Sequence, residues 1–91
     1  MVGYSARPRD VMRDLVTLLR GHGLRRVYWS ACAVVAVVSV AAGVTVWTDG
    51  RVLRCLIGGD TRQWPTWDTT GAAADLAALA RSAGPAAPPT P

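Results

Sequence analysis

The chain lacks lysine, glutamate, asparagine and phenylalanine, and it contains one histidine and two cysteines among its 91 residues. These few residues provide too little material for most catalytic or metal centres. Cys32 and Cys55 are far apart in sequence and do not form a zinc-binding or redox motif. The length allows one small domain. We therefore expect no enzymatic activity, no cofactor, no metal ion and no small-molecule substrate.

The basic residues are unevenly distributed along the chain. The formal net charge is +4, and residues 1–26 hold six of the ten arginines against only Asp10 and Asp14. An arginine-rich segment can bind nucleic acid or an acidic lipid surface. However, no helix-turn-helix, zinc-finger or ribonucleoprotein pattern accompanies it. A nucleic-acid accessory protein that uses this segment is therefore a disfavoured alternative, and a solvated helix face is favoured.

Two helices are predicted, one near each end of the chain. Apolar residues recur at helical spacing from Arg9 onward, and Gly21-His22-Gly23 provides a stop with His22 in solvent. A second helix is expected over residues 71–83, with Asp68, Thr69 or Thr70 as its N-terminal cap. The predicted organisation is a flexible N-terminus (1–8), one small domain (9–84) and a disordered tail rich in proline and alanine (85–91).

Residues 28–47 carry no charge and allow two interpretations. Arg25 and Arg26 precede this stretch and aromatic residues lie at both of its ends, which is typical of a transmembrane helix. The alternative is therefore a single-pass inner-membrane protein that spans about residues 27–47 with a cytoplasmic N-terminus. β-strands are favoured instead, because the stretch is rich in valine and lacks leucine, isoleucine and phenylalanine.

The Asp49-Gly50 pair supports the strand interpretation, because it is a strong signal for a two-residue hairpin loop. Such a loop places Trp47 opposite Val52 and gives the hairpin one apolar face and one mixed face. A third strand is expected at about Val34–Val40, and Thr61–Trp64 is a candidate for a further short edge strand. The predicted fold class is α+β: a helix, a three-stranded antiparallel β-meander and a C-terminal helix, with both helices on one sheet face.

Four residues are candidates for an interaction surface: Trp47, Trp64, Trp67 and Arg54. Tryptophan and arginine are enriched among residues that dominate binding energy. The competing and favoured interpretation of Trp64 and Trp67 is that their rings fill the gap between the sheet and the final helix. Their exposure in a structure would favour the surface role instead.

The order of these segments resembles a group of small uncharacterised proteins of high-GC actinobacteria. The resemblance rests on His22-Gly23-Leu24, residues 38–47 (VSVAAGVTVW), Asp49-Gly50-Arg51, Trp64-Pro65 and Gly71-Ala72-Ala73. It covers roughly residues 11–83 and implies an α-β-β-β-α fold without implying a substrate.

The predicted function is that of a small cytoplasmic accessory or protein-interaction domain without enzymatic activity. Its surface would be the other sheet face or the tryptophan pair, and its partner a second copy of the chain or another protein. The reason for expecting a partner is that so small a domain can barely cover Val34, Val35, Val37 and Val38 together.

Overall fold

The computed structural model describes residues 7–57 and 59–82, which form two helices and one antiparallel sheet. Residues 1–6 of the predicted flexible N-terminus and the whole predicted tail over 85–91 lie outside the described residues. The elements are α1 (Pro8–Gly21), β1 (Tyr28–Ala31), β2 (Ala36–Ala41), β3 (Val44–Thr48), β4 (Val52–Ile57), β5 (Asp60–Pro65) and α2 (Thr69–Ser82). The predicted α+β class is confirmed.

The first helix follows the predicted apolar periodicity. Pro8 lies in its first turn, where the missing N–H of proline removes no helical hydrogen bond. The helix ends at Gly21, and the exposed residue His22 is its C-terminal cap. Gly23 follows with a φ of +91°, a conformation that favours glycine. Five apolar side chains of α1 are buried: Val11, Met12, Leu15, Val16 and Leu19.

The sheet has five strands in the order β1-β2-β3-β4-β5, so the prediction of three strands was too few. The additional strands are the two edge strands, β1 and β5. The candidate edge strand at Thr61–Trp64 is observed within β5. Tyr28–Ala31 escaped prediction because a four-residue strand shows little alternation of its own. The strand predicted at Val34–Val40 is observed as Ala36–Ala41, and Ala42 and Gly43 connect it to β3.

Residues 28–47, for which a transmembrane helix was the alternative, form β1, β2 and most of β3. No helix within residues 7–57 and 59–82 is both long enough and apolar enough to cross a membrane.

The β3–β4 hairpin differs in register from the predicted one. Thr48 pairs with Leu53 and Trp47 pairs with Arg54, whereas the sequence predicted Trp47 opposite Val52. The loop is longer than the predicted two residues, because the side chains of Thr48 and Asp49 accept hydrogen bonds from its backbone. Thr48 Oγ1 accepts the N–H of Gly50 (3.0 Å), and Asp49 Oδ1 accepts the N–H groups of Arg51 (2.9 Å) and Val52 (3.3 Å). The register shift is two residues, so each side chain keeps its predicted face.

Both helices cover the same face of the sheet, as predicted. The first helix packs on β1, β2 and β3, and the second packs on α1, β2 and β5. One apolar core lies between the layers. Its fully buried members include Met12, Leu15 and Leu19 of α1, Val38, Val46, Leu53 and Cys55 of the sheet, and Ala72, Ala73 and Leu76 of α2.

Asp68 is the residue that caps the second helix. Its Oδ1 accepts the N–H of Gly71 at 3.1 Å, and its backbone carbonyl accepts the N–H of Ala72. A carboxylate at this position also interacts favourably with the helix dipole. A Cβ at position 71 would lie 2.5 Å from Asp68 Oδ2, so a side chain there would displace the capping carboxylate.

We expect Asp68→Ala to lower the free energy of unfolding by about 1 kcal/mol, because the N-terminal cap of α2 is lost. Asp68→Asn retains an acceptor oxygen and is expected to lower it less. Urea denaturation measures both variants. Equal losses for alanine and asparagine would show that the side-chain oxygen of residue 68 does not stabilise the helix.

Candidate interaction surface

The face of the sheet opposite the helices is covered by no helix or strand of the described residues. We call it the open face. It is formed by every second residue of each strand, because successive strand side chains point to opposite faces. Its members are Tyr28 and Ser30 of β1, Val37 and Ser39 of β2, Thr45 and Trp47 of β3, Val52, Arg54 and Leu56 of β4, and Thr61, Gln63 and Pro65 of β5.

Trp47 and Arg54 occupy the middle of the open face. They are directly opposite each other on β3 and β4, and Arg54 Cζ lies 5.1 Å from the centroid of the Trp47 ring. At this distance a guanidinium and an indole attract each other. The observed register creates the pair, since the predicted register placed Val52 opposite the ring. Both side chains are half-buried and held in place on the surface.

The surroundings of this pair are mainly apolar or uncharged. Val37 is opposite Trp47 on one side, and Gln63 is opposite Arg54 on the other. Leu56, two residues after Arg54, is 51 % exposed. Arg54 is the one charged residue among the open-face members, and its buried Nε makes no hydrogen bond within the described part of the chain. The open face therefore presents one arginine within an apolar and hydroxyl-bearing surface.

The structure separates the four sequence-predicted surface residues. Trp47 and Arg54 are together, whereas Trp64 points to the core side and is only 8 % exposed. The indole Nε1 of Trp64 donates a hydrogen bond to Asp75 Oδ2 of α2 at 2.9 Å, so this ring joins sheet and helix. Trp67 follows β5 and is 71 % exposed. The gap-filling role expected for both rings is therefore observed for Trp64 and not for Trp67.

Two further open-face residues, Val37 and Leu56, were not among the predicted site residues. Strand alternation could have identified them, because successive side chains point to opposite faces of a sheet. Leu56 directly follows the core residue Cys55 and therefore lies on the open face. The four valines that suggested a partner are also divided. Val38 is buried, and Val37 is half-buried on the open face. In the β1–β2 turn, Val34 is 73 % exposed and Val35 is half-buried.

The two cysteines are both free, and only Cys55 is buried. Cys32 is exposed because it lies in the β1–β2 turn. Hydrogen bonds from the backbone of Val34 and Val35 lower the pKa of the Cys32 thiol. Burial raises the pKa of the Cys55 thiol to about 11, and the charge of Arg62 opposes this only in part.

The described residues contain no group of three or more histidine, cysteine or aspartate side chains placed to hold a metal ion. Comparison of the chain with models of protein families, with curated proteins and with solved structures finds no match.

A double-mutant cycle tests whether Trp47 and Arg54 interact. We expect Trp47→Leu and Arg54→Met to show a coupling energy of about 0.5–1 kcal/mol in the free energy of unfolding, as for an exposed cation–π pair. Methionine is chosen because it retains an apolar stem. Additive effects of the two substitutions would show that the contact contributes nothing to stability.

A pH titration tests the buried thiol. The folded-state pKa of Cys55, about 11, is above the ordinary thiol value of 9.0. Between these values the unfolded chain loses a proton that the folded chain keeps, so the free energy of unfolding falls as the pH rises from 9 to 11. Urea denaturation at several pH values measures this fall. Cys55→Ala should reduce the slope of the free energy of unfolding against pH. An unchanged slope would contradict the assignment of this fall to the Cys55 thiol.

Proposed function

We propose that this chain is a small non-enzymatic interaction domain that binds a protein partner through the open face. The observation that carries the proposal is a sheet face left uncovered around the Trp47–Arg54 pair, with exposed Leu56 beside it. Tryptophan and arginine are the residues most often found at the energetic centre of interfaces. A fixed ring and guanidinium also lose little side-chain freedom when a partner binds.

Charge favours a different protein over a second copy of this chain. Two copies packed face to face would bring two Arg54 side chains into one interface, and no open-face residue offers a carboxylate to either of them. Burying like charges without counterions is costly. The partner we propose therefore has an apolar surface with at least one acidic side chain, which would accept hydrogen bonds from Arg54.

The nucleic-acid alternative has weaker support from the geometry. One face of the Trp47 ring contacts Arg54, so this ring is less free to stack on a base. On α1, Arg13 forms a salt bridge with Asp10 at 3.4 Å, which reduces the charge available for phosphates. Nucleic-acid binding stays a disfavoured alternative, and the cytoplasmic location and the lack of enzymatic activity stay predictions from the sequence.

Site-specific photo-crosslinking tests the proposed surface. A photoreactive amino acid replaces Thr45, which is exposed on the open face, and the chain is expressed in its host cell. A control carries it at Ala78, which is exposed on α2. We expect a discrete crosslinked protein from position 45 and not from position 78. Equal crosslinking at both positions, or none at either, would contradict the proposal.

Point variants then measure the contribution of the open face to binding of the crosslinked protein. We expect Leu56→Asp to weaken binding by about tenfold, because a charge is placed in the apolar surface beside Arg54. Ala78→Asp adds the same charge to α2 and should leave affinity unchanged. Circular dichroism and thermal unfolding check that both variants fold. Equal affinities for the two variants would exclude the open face as the binding surface.

A further inference from the structure

The two edges of the sheet differ in how they are protected from pairing with a further strand. Edge strands expose unpaired backbone groups, and proteins block them with charges and proline. In β5, Asp60 and Arg62 lie on the helix side of the sheet and Pro65 ends the strand. The other edge, β1, has the sequence YWSA and contains neither a charged residue nor a proline. Within the described residues β1 pairs with β2 alone.

The hairpin geometry indicates which backbone groups of β1 are free. The N–H of Cys32 donates to the carbonyl of Val35 at 2.9 Å, so these residues form a hydrogen-bonded pair. Such pairs alternate with non-hydrogen-bonded pairs along an antiparallel ladder. Ser30 and Val37 are then the next hydrogen-bonded pair. It follows that Trp29 and Ala31 direct their N–H and C=O groups away from β2, toward the free edge.

A groove follows this edge. One cavity of about 290 Å³ is lined by Arg9 and by Trp29, Ser30 and Ala31 of β1. A second cavity of about 410 Å³ is lined by Arg7, Pro8, Arg9, Cys32 and Ala33. Arg9 belongs to both, so the groove extends from β1 to the first turn of α1. One wall of the groove is the edge of β1, which pairs with no further strand among the described residues, and the cationic end of the groove is formed by Arg7 and Arg9.

We propose that the outer edge of β1 binds an extended, acidic segment of another protein by strand addition. The segment would pair with the free N–H and C=O groups of Trp29 and Ala31. An acidic side chain of the segment would accept hydrogen bonds from Arg9. Backbone pairing supplies affinity in such complexes, and pockets and charges beside the edge supply specificity.

A second copy of this chain fits the edge less well. Antiparallel pairing of two β1 strands would carry Arg25 and Arg26 of one copy toward Arg9 of the other. Neither β1 nor the residues just before it contain an acid to balance these charges. Like charges facing each other at a strand pair are destabilising. The charge of the groove therefore favours an acidic segment.

This proposal is independent of the proposed function, because the free backbone groups of β1 lie at the edge of the sheet and the open face lies on its surface. One partner could use both, but neither surface requires the other. The test therefore uses synthetic peptides and needs no natural partner.

The first probe is an eight-residue peptide of alternating threonine and valine with an aspartate at each end. Binding is followed by amide chemical shifts of the whole chain. We expect the largest changes at Trp29 and Ala31, whose free backbone groups would pair with the peptide, and small changes at Trp47. Changes centred on the open face, or no binding at millimolar peptide, would overturn the proposal.

Backbone N-methylation of the peptide distinguishes strand addition from binding that involves no backbone hydrogen bonds to β1. Methyl groups on every second residue of the peptide remove the donors on one of its edges, and methyl groups on the alternate residues remove those on the other. Strand addition predicts that one methylated peptide binds and the other does not. Loss of binding by both peptides, or by neither, would contradict pairing with β1.

Charge is tested with matched variants and a matched peptide. We expect Arg9→Gln to lower the affinity for the aspartate peptide by about two- to five-fold, which is the range for the loss of an exposed ion pair. Arg13→Gln is the control, since Arg13 is also exposed on α1 but does not line the groove. A peptide with lysines in place of the aspartates should bind more weakly than the original. Equal effects of the two variants, or equal binding of the two peptides, would overturn the role of Arg9.

Discussion

The structure depends on one constraint, which is that its two helices can cover only one face of the sheet. Each helix has 14 residues, and both pack on the same face of the five strands. Apolar residues with the correct strand alternation are drawn to the helix side, where burial removes them from water. The residues between them face the other side. The composition of the open face is therefore a direct consequence of how the core is made.

The Trp47–Arg54 pair stabilises the open face in the free protein. Arg54 covers part of the large indole surface while its charge interacts with the ring. Trp64, with the same type of side chain, has the opposite role, because its register position faces α2 and its N–H is satisfied by Asp75. Position in the strand, not residue type, decides which tryptophan stabilises the core and which lies on the open face.

Much of this arrangement could be predicted from the sequence, because strand alternation assigns residues to faces without knowledge of the exact pairing. The hairpin was predicted to have one apolar face, and the residues of that face, Leu53 and Cys55 among them, are in the core. The partner opposite Trp47 could not be predicted in the same way, since the register depends on hydrogen bonds from Thr48 and Asp49 in the loop. The short strand β1 and the exposure of Trp67 depend on tertiary packing, which has no local signature at these residues.

Oxidative footprinting of the chain, purified and within its host cells, tests the central claim most directly. If the open face binds a protein partner, Trp47 and Leu56 are labelled in the purified chain and protected in cells. Trp67, which is exposed outside the open face, serves as the internal reference and should be labelled equally in both. Equal labelling of Trp47 and Leu56 in the two conditions, with Trp67 also unchanged, would contradict a protein partner on the open face.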